Sequence, residues 1–313
     1  MGLWGDVGEL VKLPNSPHRV HQCDDGRLLV VDVEGGLTLV SQELEEMEPT
    51  EFPFPTPITH SILCEQQFIG YWIDHELLTA RLAAIGIAEN IESGISRAEL
   101  RTSISNRGNH HVHGTQWSHA MDAEMMQMCE NDGVICFALW KRGIYAIKRD
   151  GTEVWRREPL KWSEISELPR AVEIVAIEVV DGSFCILSRG GGWAMISQDS
   201  GNTVEMGMLD SPQLIDRAFY NSESGWLLVS GNEVMMLSHL QGEVTTAVFQ
   251  GPVNHATWDE EKSVWRVTGW RQDAILGTDV EFSARSDIGI HVGNYRREWY
   301  VLDNSGTWSK HLQ

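Results

Sequence analysis

The chain has 313 residues, 42% of them apolar, and carries 24 basic against 45 acidic side chains, a net charge of −21. That length and apolar content support a substantial core and exclude a disordered chain, while the acidic balance argues against a nucleic-acid backbone as partner. No run approaches the ~20 apolar residues of a membrane-spanning helix, and the opening MGLWGDVGELVKL has neither the basic start nor the apolar stretch of a secretory leader.

Five cysteines, Cys23, Cys64, Cys129, Cys136 and Cys185, show no CxxC spacing, and four of them lie in apolar or strand-like stretches. Their odd number and placement fit buried, reduced thiols in a cytoplasmic protein with no disulfide-linked partner.

In chain order, DVGELVKL (6–13) has strand character. A segment from Pro17 then leads into DDGRLLVVDVEGGLTLVSQ (24–42), two apolar runs split by Gly and Asp, which is a hairpin pattern. A second segment starts at Pro57. The polar stretch from about 85 to 114 is an insertion, with SRAELRTSI read as a helical turn. The next segment starts at Thr115 and precedes NDGVICFALWKRGIYAIKRDGTEVW (131–155). A second insertion, PLKWSEISEL (159–168), is expected to hold a short helix capped by Ser163. Further segments start at Pro169, Pro212, Pro252 and Asp287, before hairpins that include 180–206 and 222–248. Successive starts are 40, 58, 54, 43, 40 and 35 residues apart. A four-stranded unit recurring every 40 to 45 residues is the mark of a β-propeller, and the two long intervals hold the insertions.

VNHATWDEEKSVWRVTG and LIDRAFYNSESGWLLVSG resemble the first two strands of WD40-type repeats, without the WD dipeptide or the paired Gly-His. YAIKRDGTEVW is similar to the Asp-Gly-Thr to Trp segment of quinoprotein-like propeller repeats. These resemblances imply an all-β propeller spanning residues 1–313 as one domain, and little about activity. The last unit has only three strand-like stretches, so 6–13 is expected to supply its fourth strand and close a ring of seven blades, or six if 281–313 is parsed differently. Trp72, Trp140, Trp193, Trp226, Trp265 and Trp299 fall near second and third strands, where they would fill the space between blades.

In such a ring the first strand of each blade borders the central channel. The polar residue three to four positions past each start is His21, His60, His119, Glu173, Asp216 and His255, with His291 in the last unit. Converging imidazoles suit Zn or Fe, so His21, His60, His119 and His255 form a candidate metal set that the two acids would orient. GNHHVHGTQWSH (108–119) adds His111 and His113 as a second candidate pair. No GxSxG elbow, phosphate-binding GxxxxGK[ST] or HExxH occurs. The leading expectation is a non-enzymatic protein-interaction scaffold with a protein partner and neither nucleic acid nor membrane. The alternative is a metal-dependent enzyme working at the channel mouth.

Overall fold

The computed structural model describes residues 9–88, 90–102, 112–210 and 213–313. Its strands form seven antiparallel sheets, each contiguous in sequence. Blade one holds β1 (Pro17–Gln22), β2 (Leu28–Asp32) and β3 (Leu37–Val40). Blade two holds β4 (Ile58–Cys64), β5 (Gln67–Asp74), β6 (Thr79–Gly86) and, after the helix α1 (Arg97–Thr102), β7 (Thr115–Met121). Blade three comprises β8 (Met125–Asn131), β9 (Val134–Leu139), β10 (Gly143–Lys148) and β11 (Glu153–Arg157). Blade four comprises β12 (Ile174–Val180), β13 (Ser183–Ser188), β14 (Gly192–Ser197) and β15 (Thr203–Met208). Blade five has β16 (Arg217–Asn221), β17 (Gly225–Ser230), β18 (Glu233–Leu237) and β19 (Thr245–Val248). Blade six has β20 (Val253–Asp259), β21 (Val264–Gly269), β22 (Gln272–Leu276) and β23 (Val280–Ala284), and blade seven β24 (Gly289–Tyr295), β25 (Glu298–Asp303) and β26 (Trp308–Lys310). The protein is a seven-bladed β-propeller.

Each sheet has its first strand at one edge, so β1, β4, β8, β12, β16, β20 and β24 border the axis. Each runs from the same face of the ring towards the other, because every blade repeats the same up-and-down order. The hairpins are built as the Gly and Asp punctuation requires. Gly225 has φ +84° and an added Cβ would lie 2.3 Å from the Leu237 carbonyl oxygen, so this turn accepts no side chain.

The core lies between blades. Trp72, Trp193, Trp226 and Trp265 are at most 4% exposed, whereas Trp140 and Trp299 are half-buried. All five cysteines are free thiols, and four are buried. No helix among the described residues is long and apolar enough to cross a membrane.

Three expectations need correction. Thr115 begins β7, the outermost strand of blade two, and blade three begins ten residues later at Met125. Ser163 opens a 3-10 turn (Ser163–Ile165) but does not cap it; Trp162 holds the capping position without a side-chain bond. In the proposed closing segment 6–13, residues 6–8 lie outside the described residues, and 9–13 form no ladder. They sit instead at the seam between blades one and seven. Val11 N–H donates to the Leu44 carbonyl (2.8 Å) and Leu13 N–H to the Gly306 carbonyl (2.9 Å). Leu10, Val11 and Leu13 pack with Leu28, Val40, Tyr300 and Trp308. Among the described residues, two backbone hydrogen bonds and hydrophobic burial join this seam.

The first insertion is anchored on the flank of blades one and two. Arg97 pairs with Asp74 (2.7 Å), Gly94 N–H donates to the Phe52 carbonyl (2.8 Å), and Leu100 is fully buried.

Candidate functional site at the channel mouth

A bulge near the start of the innermost strands decides which side chains look inward. Register shifts occur at Pro17/Arg19, Ile58/His60, Met125/Gln127, Ile174/Ala176, Val253/His255 and Gly289/His291. In blade five, Asp216 N–H bonds the Val229 carbonyl (2.7 Å) and Arg217 pairs with Val229, reproducing the same step. The residues that follow the bulge form one ring: Arg19, His60, Gln127, Ala176, Arg217, His255 and His291. Five of these seven are basic types and none is acidic, in a chain of net charge −21. His21 and Glu178 lie one layer deeper, two residues along β1 and β12.

The histidines are tightly held. Rings of His255 and His291 are 4.3 Å apart. Val292 N–H donates to His255 Nδ1 (3.3 Å), and His291 Nε2 and Tyr295 Oη share a hydrogen bond of 2.7 Å. His21 Nε2 and Ser61 Oγ share another of 2.8 Å. Burial, then the Arg19 charge, pushes His21 down to about 3 and His60 to about 4. Burial, then Arg217 and Arg19, pushes His255 to about 4. His291 falls well below its ordinary value through burial and then its neighbour His255. These four imidazoles are therefore neutral at neutral pH, and the ring's charge resides on Arg19 and Arg217. Burial alone lifts the Glu178 carboxyl to about 8, so it is protonated there.

Of the residues singled out from sequence, His60, His255 and His291 stand in the ring and His21 just beneath it. Glu173 and Asp216 precede β12 and β16 at the rim, tied to other arginines. Glu173 pairs with Arg170 (2.6 Å), and Asp216 with Arg189 (2.5 Å) and the Gly231 N–H (2.9 Å). His119 is not at the channel. It lies on the outer strand β7 opposite Leu82, with Nε2 bonded to the Gly151 carbonyl (2.7 Å), because Thr115 does not open a blade. His113 is on the insertion, paired with Glu92 (2.9 Å), and His111 lies outside the described residues. Among the described residues no three His, Cys, Asp or Glu side chains come together in a way that could hold a metal ion.

Counting forward from Pro overran Arg19 by two residues and, at the bulge, stopped one short of Arg217, while Gln127 was hidden because blade three begins at Met125 with no proline before it. Counting back from the hairpin would have found them.

The same face carries an apolar notch of about 180 Å³ between blades three and four, lined by Met126, Trp140, Ile144, Leu160 and Val172. Met126 is the bulge residue of β8, so the notch opens at the rim of the channel. Two tryptophans sit on turns of this face, each beside a cation. Lys141 lies 5.3 Å from the Trp140 ring, and Arg271 lies 5.9 Å from that of Trp270, which is 48% exposed.

Solved propellers share this architecture. The WD40 propeller domain of Doa1 superposes with a TM-score of 0.65 at 11% identity, covering 96% of this chain and 95% of that one. The propeller domain of Myceliophteria thermophila Cps50 (Swd1) gives 0.65 at 9% identity, over 94% and 96%. BamB from Moraxella catarrhalis gives 0.55 at 13% identity, over 93% and 83%. At these identities the likeness shows the fold alone, a β-propeller. Neither a protein-family model nor a curated protein sequence matches the chain.

Proposed function

We propose that the protein is an interaction platform that receives a protein partner on the face where the innermost strands begin. One observation carries this reading: an open apolar notch, with Trp140 in its wall and Lys141 beside that ring, opens at the rim of the channel mouth. Aromatic and arginine groups beside a desolvated pocket are what interface hot spots use. WD40-type propellers, which the fold resembles, commonly serve as interaction domains, and that likeness supports the reading as analogy.

The test is affinity capture with three baits. Wild-type protein and a Phe282→Arg variant, altered on the outer strand β23, should retain the same specific partner. A Val172→Arg variant, with a charge in the notch, should lose it while remaining folded by circular dichroism. A partner retained equally by all three would place the interface elsewhere.

A further inference from the structure

Arg19 and Arg217 occupy the same register position on the innermost strands of blades one and five. Blades six and seven stand between them around the ring, so the two side chains lie on opposite sides of the channel. Arg19 donates one bond, from Nη1 to the Ser61 carbonyl (2.9 Å). The Arg217 backbone pairs with Val229 in its ladder, but its guanidinium has no hydrogen bond or ion pair among the described residues. The nearest acid, Asp216, is already engaged by Arg189 and the Gly231 N–H. His18, the bulge residue of β1, adds a third nitrogen-bearing group at the rim.

Both cations stand at the mouth of one channel. Arg19 is lowered by burial and then by Arg217, while Arg217 is lowered by burial and partly restored by Asp216. Arg19 is half-buried and Arg217 is exposed at the mouth, and like charges turned to one channel repel unless a counter-charge stands between them. The chain has 45 acidic side chains with which it could have supplied one, and none stands in the ring. The missing counter-charge points to a ligand.

We propose that the channel mouth binds a compact oxyanion of the phosphate class between the guanidinium groups of Arg19 and Arg217, with His18 at its edge. Two planar forks match the paired oxygens of a tetrahedral dianion, which a single carboxylate matches less well. The site goes beyond the partner-binding reading, because it can be measured with inorganic phosphate alone.

Isothermal titration of the full chain with inorganic phosphate at low salt should give a dissociation constant at or below about 1 mM. Added salt should weaken it, as for any site that works through charge. Arg217→Ala should weaken binding at least about tenfold, and Arg217→Lys, which keeps charge but loses the fork, by less. Arg142→Ala, on the same face but paired with Asp122 (3.2 Å), should leave binding unchanged. Thermal melts of each variant establish that it is folded. A short peptide carrying phosphoserine forms the second arm. Binding at least tenfold tighter than phosphate assigns the oxyanion to a phosphorylated partner, and equal binding assigns it to a free ion. The proposal is overturned if neither probe binds the wild type, or if folded Arg217→Ala binds phosphate as the wild type does.

Discussion

Arg266 offers the sharpest test of how the ring is held together. It is 1% exposed on β21, and its Nε donates to Asp259 (2.7 Å), itself 3% exposed. Nη1 donates to the Leu312 carbonyl and to His311 Nδ1 (3.2 Å), while the guanidinium lies 4.7 Å from the centre of the Trp299 ring. One side chain thus ties blade six to β25 and to the segment that follows β26. Replacing Arg266 with Met leaves the Asp259 carboxylate buried with only the Lys262 N–H (3.2 Å) to answer it. Breaking a buried pair in this way costs about 3–5 kcal/mol. At roughly 2–4 °C per kcal/mol for a chain of this size, Tm should fall by roughly 6–20 °C. Urea unfolding followed by tryptophan fluorescence measures the same loss. The double variant Arg266→Met, Asp259→Leu removes both charges and should recover at least half of it. A loss below about 1 kcal/mol in the single variant would refute the reasoning. So would a double variant no better than the single one.

Leu13→Ala at the seam of blades one and seven should cost about 2–5 kcal/mol by urea melt, since the side chain is 4% exposed. Gly225→Ala should cost more than about 2 kcal/mol, because the turn combines φ +84° with a carbonyl 2.3 Å from the added carbon. Stability should fall with pH between about 6.5 and 4. There the unfolded chain takes up protons that native His60 and His255, both held near 4, refuse, and the double Gln variant should flatten this limb. Glu178 acts in the opposite sense: its proton, held in the native state up to about 8, favours folding at low pH, and that contribution is lost as pH rises from 4.5 through 8. Glu178→Gln should therefore be more stable than wild type at pH 9, by more than about 1 kcal/mol.

The blades were legible because their signal is local. Short apolar runs broken by Gly, Asn and Asp can only be hairpins, and their recurrence gave six of the seven blade starts to within a few residues. The start of blade three was hidden for a physical reason. TQWSHAM pairs with β6 across a long insertion, so it looked like the head of a new unit, and the true inner strand MMQMCEN has no proline to announce it. The site was half legible. Histidine recurrence pointed at the correct end of the inner strands except at His119, but it overran Arg19 by two residues and, at the bulge, stopped one short of Arg217. Arg170 takes up Glu173 at i,i+3 within one turn, a pairing that spacing allows, but nothing in residue spacing says that Arg189 would take up Asp216, since that pair joins separate segments.

Because every sheet is made from one uninterrupted stretch, six of the seven seams join neighbours in sequence. The seventh joins residues as far apart as Ser16 and Asn304, whose bond spans 288 positions. The entropy of bringing distant points together grows only slowly with separation, at roughly 0.6 kcal/mol per doubling. The seventh seam is thus not greatly more expensive than the others at equilibrium. Kinetically it is different, since long-range contacts form late. On that ground the closure of the circle, through the apolar cluster around Leu13, Tyr300 and Trp308, is the event expected to come last. Until that event the chain is an open arc with two raw ends, and the channel does not yet exist.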